Sequence, residues 1–465
     1  MTDRSFIARD ILYQKFKSKI INNPDLNRSL VSFQANKNNP FYNWFKYREG
    51  FSEKLVTYLL KNLKPESGIM LDPFSGSGSA LFAANSLGWK SIGIELLPIG
   101  INITRSRIGA YSIDVNDFQR KISEIEDLNF AAHYDAKYAL NHLKITRGAF
   151  PELEEKALIG YLSYCHNFIQ EDRLRDLFIY AAFCILEEIS YTRKDGQYLR
   201  WDNRADRPQK SSFNKGKITS FREAILKKLH QINTDLNRDI SFEKKYFPRP
   251  ILYQGSCLDI LPALPDKTID FVITSPPYLN RYDYTRTYAI ELMFLGYGQA
   301  GIKNLRQKML SCTVENKDKK VYLKSLYCES DFNKIDDIFN SSTALQEILL
   351  ILNTYKQAKK LNNPNIPRLV QNYFYEMCFI IYELARVLQD GGIVAMVNDN
   401  VRYAGEEIPV DLILSEMAES FGLTTKYIWT LAKGKGNSSQ QMRKHGRSEV
   451  RKCIYIWEKS KLFCQ

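Results

Sequence analysis

The sequence predicts an α/β fold: a mostly parallel sheet with crossover helices, interrupted by two helical insertions. Three observations predict it. Ile69 to Asp72 is a short apolar strand that breaks into a Gly-Ser-Gly loop and a helix-like run, after which Ser91 to Glu95 reads as the next strand. Ile269 to Thr274 is a second apolar strand, and it runs straight into Ser275-Pro276-Pro277-Tyr278. Tyr373 to Leu388 is amphipathic, with Met377, Ile380, Ile381, Leu384 and Leu388 on one face, and Asp390-Gly391-Gly392 stops it before the strand Ile393 to Val397. Repeated strand, helix and strand units of this kind build a parallel sheet.

Taken in order, residues 1–32 form a basic, charged N-terminal segment. The sheet-bearing domain is assigned to 33–112, 246–295 and 369–465, with helix and strand alternating from about 50 to 105. Residues 113–245 are mostly helical by periodicity, and the stripe Leu174, Leu177, Phe178, Ala181, Ala182 and Ile185 is core. Between its helical stretches, Tyr198 to Ser212 is polar, basic and broken by proline, so it reads as a long exposed loop. Its Arg200, Trp201 and Arg204 suit nucleic-acid contact. The sheet resumes at Ile251 and reaches the double-proline corner, beyond which Asn280 to Arg286 interleaves Arg281, Tyr282 and Arg286. Such a run stacks on bases while neutralising phosphates. A second helical, lysine-rich insertion covers 296–368, with Lys317 to Lys320 reading as a solvated turn. Tyr427 to Leu431 and Cys453 to Trp457 read as paired strands, and the loop joining them carries Arg443 and Arg447 among its cations.

Composition narrows the class. With 465 residues the chain exceeds one ordinary core, which suits a main domain with sizeable insertions. Lysine and arginine total 65 against 52 acids, a net charge of +13 that favours a polyanionic partner. Eight scattered cysteines include no Cys-x-x-Cys pair, so neither a disulfide framework nor a metal site is indicated. The first residues lack an apolar core and the longest apolar run, Leu177 to Leu186, is broken by Glu187-Glu188. The expectation is a cytoplasmic protein with no membrane partner.

Two motifs carry the chemistry. In the double-proline corner, both prolines fix φ and lack N–H groups, so the chain leaves the strand in a rigid turn with carbonyls free to face a ligand. Ser275 adds a hydroxyl acceptor and Tyr278 a flat face. A planar base bearing an amino group needs both: acceptors for its N–H bonds and an aromatic to stack on once it leaves the helix. The second motif is Asp72-Pro73-Phe74-Ser75-Gly76-Ser77-Gly78, whose glycines let backbone approach a ligand closely, followed by Glu95 at the end of the next strand, where a ribose diol is usually held.

Together these motifs resemble the DNA amino-methyltransferases, which carry a Phe-x-Gly-x-Gly loop and an (Asp/Asn/Ser)-Pro-Pro-(Tyr/Phe/Trp) corner. The Ser-Pro-Pro-Tyr form resembles the cytosine-N4 branch. Asn43 to Arg48, followed by Phe51-Ser52, is similar to the family's cofactor-side helix, and Gly255 to Ile260 to its strand end and acid before the catalytic strand. The resemblance spans roughly 33–105 and 250–460. It implies a Rossmann-like methyltransferase sheet closed by an antiparallel terminal hairpin, and S-adenosylmethionine as cofactor. On that basis Asp72, Phe74, Gly76 and Gly78 cradle the methionine moiety, Ser52 meets its carboxylate, Glu95 takes the ribose hydroxyls and Asp259 the adenine amine. Ser275, Pro276, Pro277 and Tyr278 form the catalytic corner.

The resemblance further implies site-specific methylation of double-stranded DNA, with cytosine N4 preferred to adenine N6, in a restriction-modification or related defence system with a cognate endonuclease or defence subunits as partners. The interval from Gly78 to Ser275 is far longer than the uninterrupted fold needs, and family members commonly insert target-recognition segments. The choice for that segment is therefore 113–245, then 296–368. An RNA amino-methyltransferase uses the same chemistry, but no appended RNA-binding module is visible. A noncatalytic nucleic-acid-binding subunit of the same fold is the alternative of a different class, and the intact Gly76, Gly78, Ser275 and Tyr278 weigh against it.

Overall fold

The computed structural model describes residues 7–196, 198–207, 212–238, 249–431 and 450–460. Its strands are β1 (Ile20–Asn22), β2 (Ile69–Asp72), β3 (Lys90–Glu95), β4 (Thr192–Asp195), β5 (Tyr198–Trp201), β6 (Ile251–Gln254), β7 (Ile269–Thr274), β8 (Leu388–Asp399), β9 (Val401–Tyr403), β10 (Glu406–Ile408), β11 (Leu423–Thr430) and β12 (Lys452–Lys459). Eight of them form one sheet in the order β1-β11-β12-β8-β7-β2-β3-β6. Only β12 runs against its neighbours, pairing antiparallel with both β11 and β8. The terminal hairpin is therefore present, on a sheet whose other pairs are parallel.

Period-two alternation sorts the sheet's side chains onto two cores. Phe271 and Ile273 of β7, Ala395 and Val397 of β8, and Ile454 and Ile456 of β12 face one core with the helices Glu53–Leu63 and Ser79–Ser86. Val272, Val394, Met396, Tyr455 and Trp457 face the other, where the helix Ile366–Val387 lies. This helix is apolar nearly all round because it is covered on both sides, by the sheet and by the helices of the second insertion. Gly391, at φ 77°, sits inside β8 where the register against β7 shifts, so the predicted helix stop is also a strand irregularity.

The helix Ile7–Phe16 and β1 pack Leu12 and Phe16 into the main core. The N-terminal segment is thus part of the sheet domain's packing. The first insertion likewise shares its core with the helix Pro98–Ala110 and with residues 288–312.

Several expectations need correction. Asn43 to Arg48 is not a helix. It is a run of turns whose groups find tertiary partners: the Trp44 indole donates to Asp235 at 2.8 Å and the Arg48 N–H to the Tyr288 hydroxyl at 3.2 Å. Tyr198 to Ser212 is not one loop, because its first four residues are β5, paired with β4 across a turn at Gly196 (φ 57°). Lys319 is not solvated: its ammonium reaches both oxygens of the buried Glu376 at 2.8 Å. The described residues include no helix long and apolar enough to cross a membrane.

Candidate active site

The strand order reverses between β2 and β7. From β2 the chain moves through β3 to the edge at β6, then returns to lay β7 on the opposite side of β2. Loops leaving the carboxyl ends of two such strands diverge and open a crevice. Here those loops are the glycine loop and the double-proline corner. The strand ends are tied together: Thr274 donates its hydroxyl to Asp72 at 2.8 Å, and Asp72 also accepts from the Phe74 N–H at 3.1 Å.

The crevice holds a cavity with about 760 Å³ of space, part of it open to solvent. Its walls include Asp72, Phe74, Gly76 and Glu95 from the cofactor set, and Ser275 and Pro277 from the corner. The two motifs, far apart in sequence, thus face one space. Tyr278 does not line it, but its hydroxyl lies 3.3 Å from the Ser275 hydroxyl. Pro276 is buried and does not line it either.

The glycine loop is tightly held. Gly76 has φ 51°, and a Cβ there would sit 2.9 Å from the Tyr47 ring. Beneath it, a Cβ on Gly100 would lie 2.4 Å from the Gly76 carbonyl. Glu95 fastens the loop, accepting from the Gly76 N–H at 2.5 Å and from the Leu97 N–H at 2.6 Å. Gly78 does not line the cavity; it caps the helix Ser79–Ser86 in the left-handed conformation, at φ 75°.

Two buried carboxyls thus share one cavity. Burial pushes both Asp72 and Glu95 up to about 7, against the hydrogen bonds they accept, and Glu95 raises Asp72 further by charge repulsion. The Ser75 hydroxyl, also on the wall, is buried without a partner. A cavity with acidic oxygens and an apolar lining favours a cationic, largely apolar ligand.

Other predicted residues lie elsewhere. Ser52 is fully buried as the cap of Glu53–Leu63, accepting from the Leu55 N–H and donating to the Leu30 carbonyl. It is off the cavity wall. Asp259 is exposed and accepts from the Tyr322 hydroxyl; the wall is formed instead by the preceding Gly255, Ser256 and Cys257. Tyr282 is buried, its ring edge-on to Tyr284 and its hydroxyl on Glu49, so it offers no exposed stacking face. Arg281 donates to Asn362, and Arg286 pairs with Asp283 and Glu315. Arg200 pairs with Asp195 and lies over Phe213, while Arg204 grips Asp202 through two nitrogens. Trp201 is covered by Arg207 at 3.8 Å. Arg443 and Arg447 fall outside the described residues.

Sequence reasoning missed Glu49, Met309 and Leu310 on the cavity wall, while Tyr47 and Tyr284, also there, fell inside runs it had read without singling them out. Glu49 is engaged by both the Tyr282 and Tyr288 hydroxyls, and burial raises its pKa. A lone acid between a Trp-Phe-Lys-Tyr-Arg run and Gly50 gives no periodic signal, which is why nothing singled it out.

Comparison with known proteins agrees with this geometry. A family model described as DNA methylase matches residues 13–104. Type II methyltransferase M.AvaI of Nostoc sp. is 46% identical over 96% of this chain and 92% of its own length. Type II methyltransferase M.BsoBI of Geobacillus stearothermophilus is 42% identical over 93% of this chain and 88% of its own. Type II methyltransferase M.MvaI of Kocuria varians is 23% identical over 79% of this chain and 78% of its own. No solved structure matches.

Proposed function

Since this chain belongs to the DNA methylase family of type II DNA methyltransferases, we propose that it methylates the exocyclic amine of a base flipped from double-stranded DNA, cytosine N4 in preference to adenine N6, with S-adenosylmethionine as donor. The observation that carries this reading is the shared cavity: Ser275 and Pro277 of the corner stand on the same wall as Asp72, Gly76 and Glu95. The apolar lining, the glycine loop and the two buried carboxyls fit S-adenosylmethionine. Bound there, it supplies an electrophilic methyl group on a sulfonium.

The residues of the chain do the rest. The glycine loop and Phe74 would cradle the cofactor, Glu95 would take its ribose hydroxyls, and the ionised Asp72 and Glu95 would balance its positive charge. An exocyclic amine conjugated to a ring is a poor nucleophile. Accepting its N–H bonds at the Ser275 hydroxyl and the Pro276 carbonyl draws the nitrogen toward tetrahedral geometry and localises its lone pair. Tyr278 stacks on the extruded base. A cognate restriction endonuclease reading the same sequence is the partner this role calls for.

Mass spectrometry of nucleosides from DNA treated with the purified enzyme and S-adenosylmethionine tests the product. N4-methylcytosine is the expected result, and N6-methyladenine overturns the cytosine preference while leaving the reaction class. Ser275→Ala should bind S-adenosylmethionine like the wild type in calorimetry and lose turnover by ~10²-fold or more; near-full activity in this variant sinks the assigned chemistry.

A further inference from the structure

A second cavity opens on the far side of the helical turn that walls the first. Tyr284 lines the active-site cavity, whereas its neighbours Thr285 and Arg286 line the second. The helix Gln299–Lys308 divides the two in the same way: Ile302 and Arg306 face the second, and Met309 and Leu310, just past its end, face the first. The second cavity holds about 1,040 Å³ of space, part of it open to solvent.

Its lining is cationic, with Lys144, Arg207, Arg286 and Arg306 and no carboxylate. Two carboxylates stand behind or beside it. Asp283 lies 3.3 Å from Arg286 and 3.2 Å from Arg306, and Glu315 lies 3.4 Å from Arg286. That leaves Lys144 and Arg207 without an acidic partner among the described residues. Arg207 rests on Trp201 and donates to the Ile145 carbonyl at 3.2 Å, and burial lowers its pKa, as for a cation whose counter-charge is missing. Arg306 donates to the Thr285 hydroxyl at 2.8 Å, yet its Nε–H is buried with no acceptor. Two carboxylates against four cations leave an excess of positive charge around one space, which costs free energy unless an anion completes it, and planar guanidinium groups match the oxygens of a phosphate.

We propose that this pocket is a phosphodiester site, which clamps a DNA backbone phosphate beside the target nucleotide while the corner holds the extruded base. The proposal rests on the DNA-methylating reading above. Flipping a base swings its backbone, so a backbone grip just across Tyr284–Arg286 from the active-site cavity would hold the rotated nucleotide in place. The residues come from three parts of the chain: Lys144 and Arg207 from the first insertion, Arg286 from the segment after the corner, and Arg306 from the second insertion. The two insertions would thus meet on the DNA backbone at this point, whichever of them reads the bases.

The test is the salt dependence of binding to short synthetic duplexes, measured by fluorescence anisotropy for the wild type and for K144Q/R207Q. The wild type should show a steep fall of affinity with salt. In the variant, Kd should rise about tenfold and the slope of log affinity against log salt should flatten by ~1 for each phosphate that is no longer neutralised. The weakening should be equal on duplexes of different sequence, with S-adenosylmethionine affinity unchanged in calorimetry. A steep wild-type slope that the variant retains overturns the clamp alone. A weakening that depends on duplex sequence overturns it in favour of base reading. Protection of the wild type but not the variant by inorganic phosphate, with DNA affinity unchanged, overturns it in favour of a free-anion site. A flat wild-type response overturns the DNA-methylating reading and the clamp together. Should the double variant fail to fold, Lys144→Gln, at an exposed position, carries the same readouts at a smaller amplitude.

Discussion

At the scale of single residues, the active site holds two carboxyls whose pKa values lie well above those they have in water. Asp72 and Glu95 are each pushed up to about 7 by burial. A carboxyl raised in the folded state favours folding below its ordinary range and loses that contribution as pH climbs through the folded value. Without ligand, the pair should therefore weaken the fold between about pH 4 and pH 7. Urea unfolding of Asp72→Asn beside the wild type checks this. Relative to the wild type, the variant should gain up to ~4 kcal/mol on going from pH 4 to pH 8, and a constant difference would rule out the raised carboxyl. A cationic ligand reverses the trend, so S-adenosylmethionine affinity should grow as pH rises through 7. Gly76 offers a steric test. Its positive φ and the Tyr47 ring at 2.9 Å from an added Cβ leave no room for Gly76→Ala, which should abolish cofactor binding in calorimetry and cost ~1–3 kcal/mol in stability.

At the scale of elements, the cavity wall is set by a buried ion pair. Glu376 in Ile366–Val387 accepts from the Ser311 backbone N–H at 2.8 Å, and Lys319 bridges Glu376 to the Met309 carbonyl at 2.9 Å. Met309 and Leu310 are thereby pinned against the site. Glu376→Leu leaves Lys319 buried and alone and should destabilise by ~3–5 kcal/mol in urea unfolding, with Lys319→Met/Glu376→Leu recovering much of that deficit. This pair also marks how far the sequence could be read. Strands β2, β3, β7 and β8, the glycine loop and the double-proline corner were legible because short apolar runs and turn residues are local signals, and the antiparallel hairpin came with the family resemblance. Lys319 was not: a Lys-Asp-Lys-Lys run is written like a solvated turn, and only Glu376, 57 positions on, makes it core. For Asp259 and Ser52, the residue type was informative but direction was not. Asp259 lies in the right segment and points outward, and Ser52 spends both its hydroxyl's hydrogen bonds on the helix it caps and the Leu30 carbonyl.

At the scale of the whole molecule, the first insertion is coupled to the site through buried charge. Lys194 on the β4–β5 hairpin reaches Glu291, in the helix Ala289–Phe294, and also Glu187 at 3.0 Å, itself 3.6 Å from Arg48. Arg48 adjoins Glu49 on the cavity wall. Lys194→Met should destabilise by ~3–5 kcal/mol, and Lys194→Met/Glu291→Leu should recover part of it. Thermal melting of the two singles and the double, read as a cycle, checks the pairing, and additive effects would show that the hairpin and the helix Ala289–Phe294 are independent. A different consequence follows from the pairing of β1 with β11, where Ile20 lies opposite Ile428. On a ribosome adding ~5–20 residues per second, Ile20 waits roughly 20 to 80 seconds for its partner to emerge. Until then Leu12 and Phe16, both buried in the finished core, are left without part of the surface that covers them. Synthesis therefore passes through a long interval in which the growing chain is open to aggregation and to chaperones, and the sheet closes only when its last strands arrive.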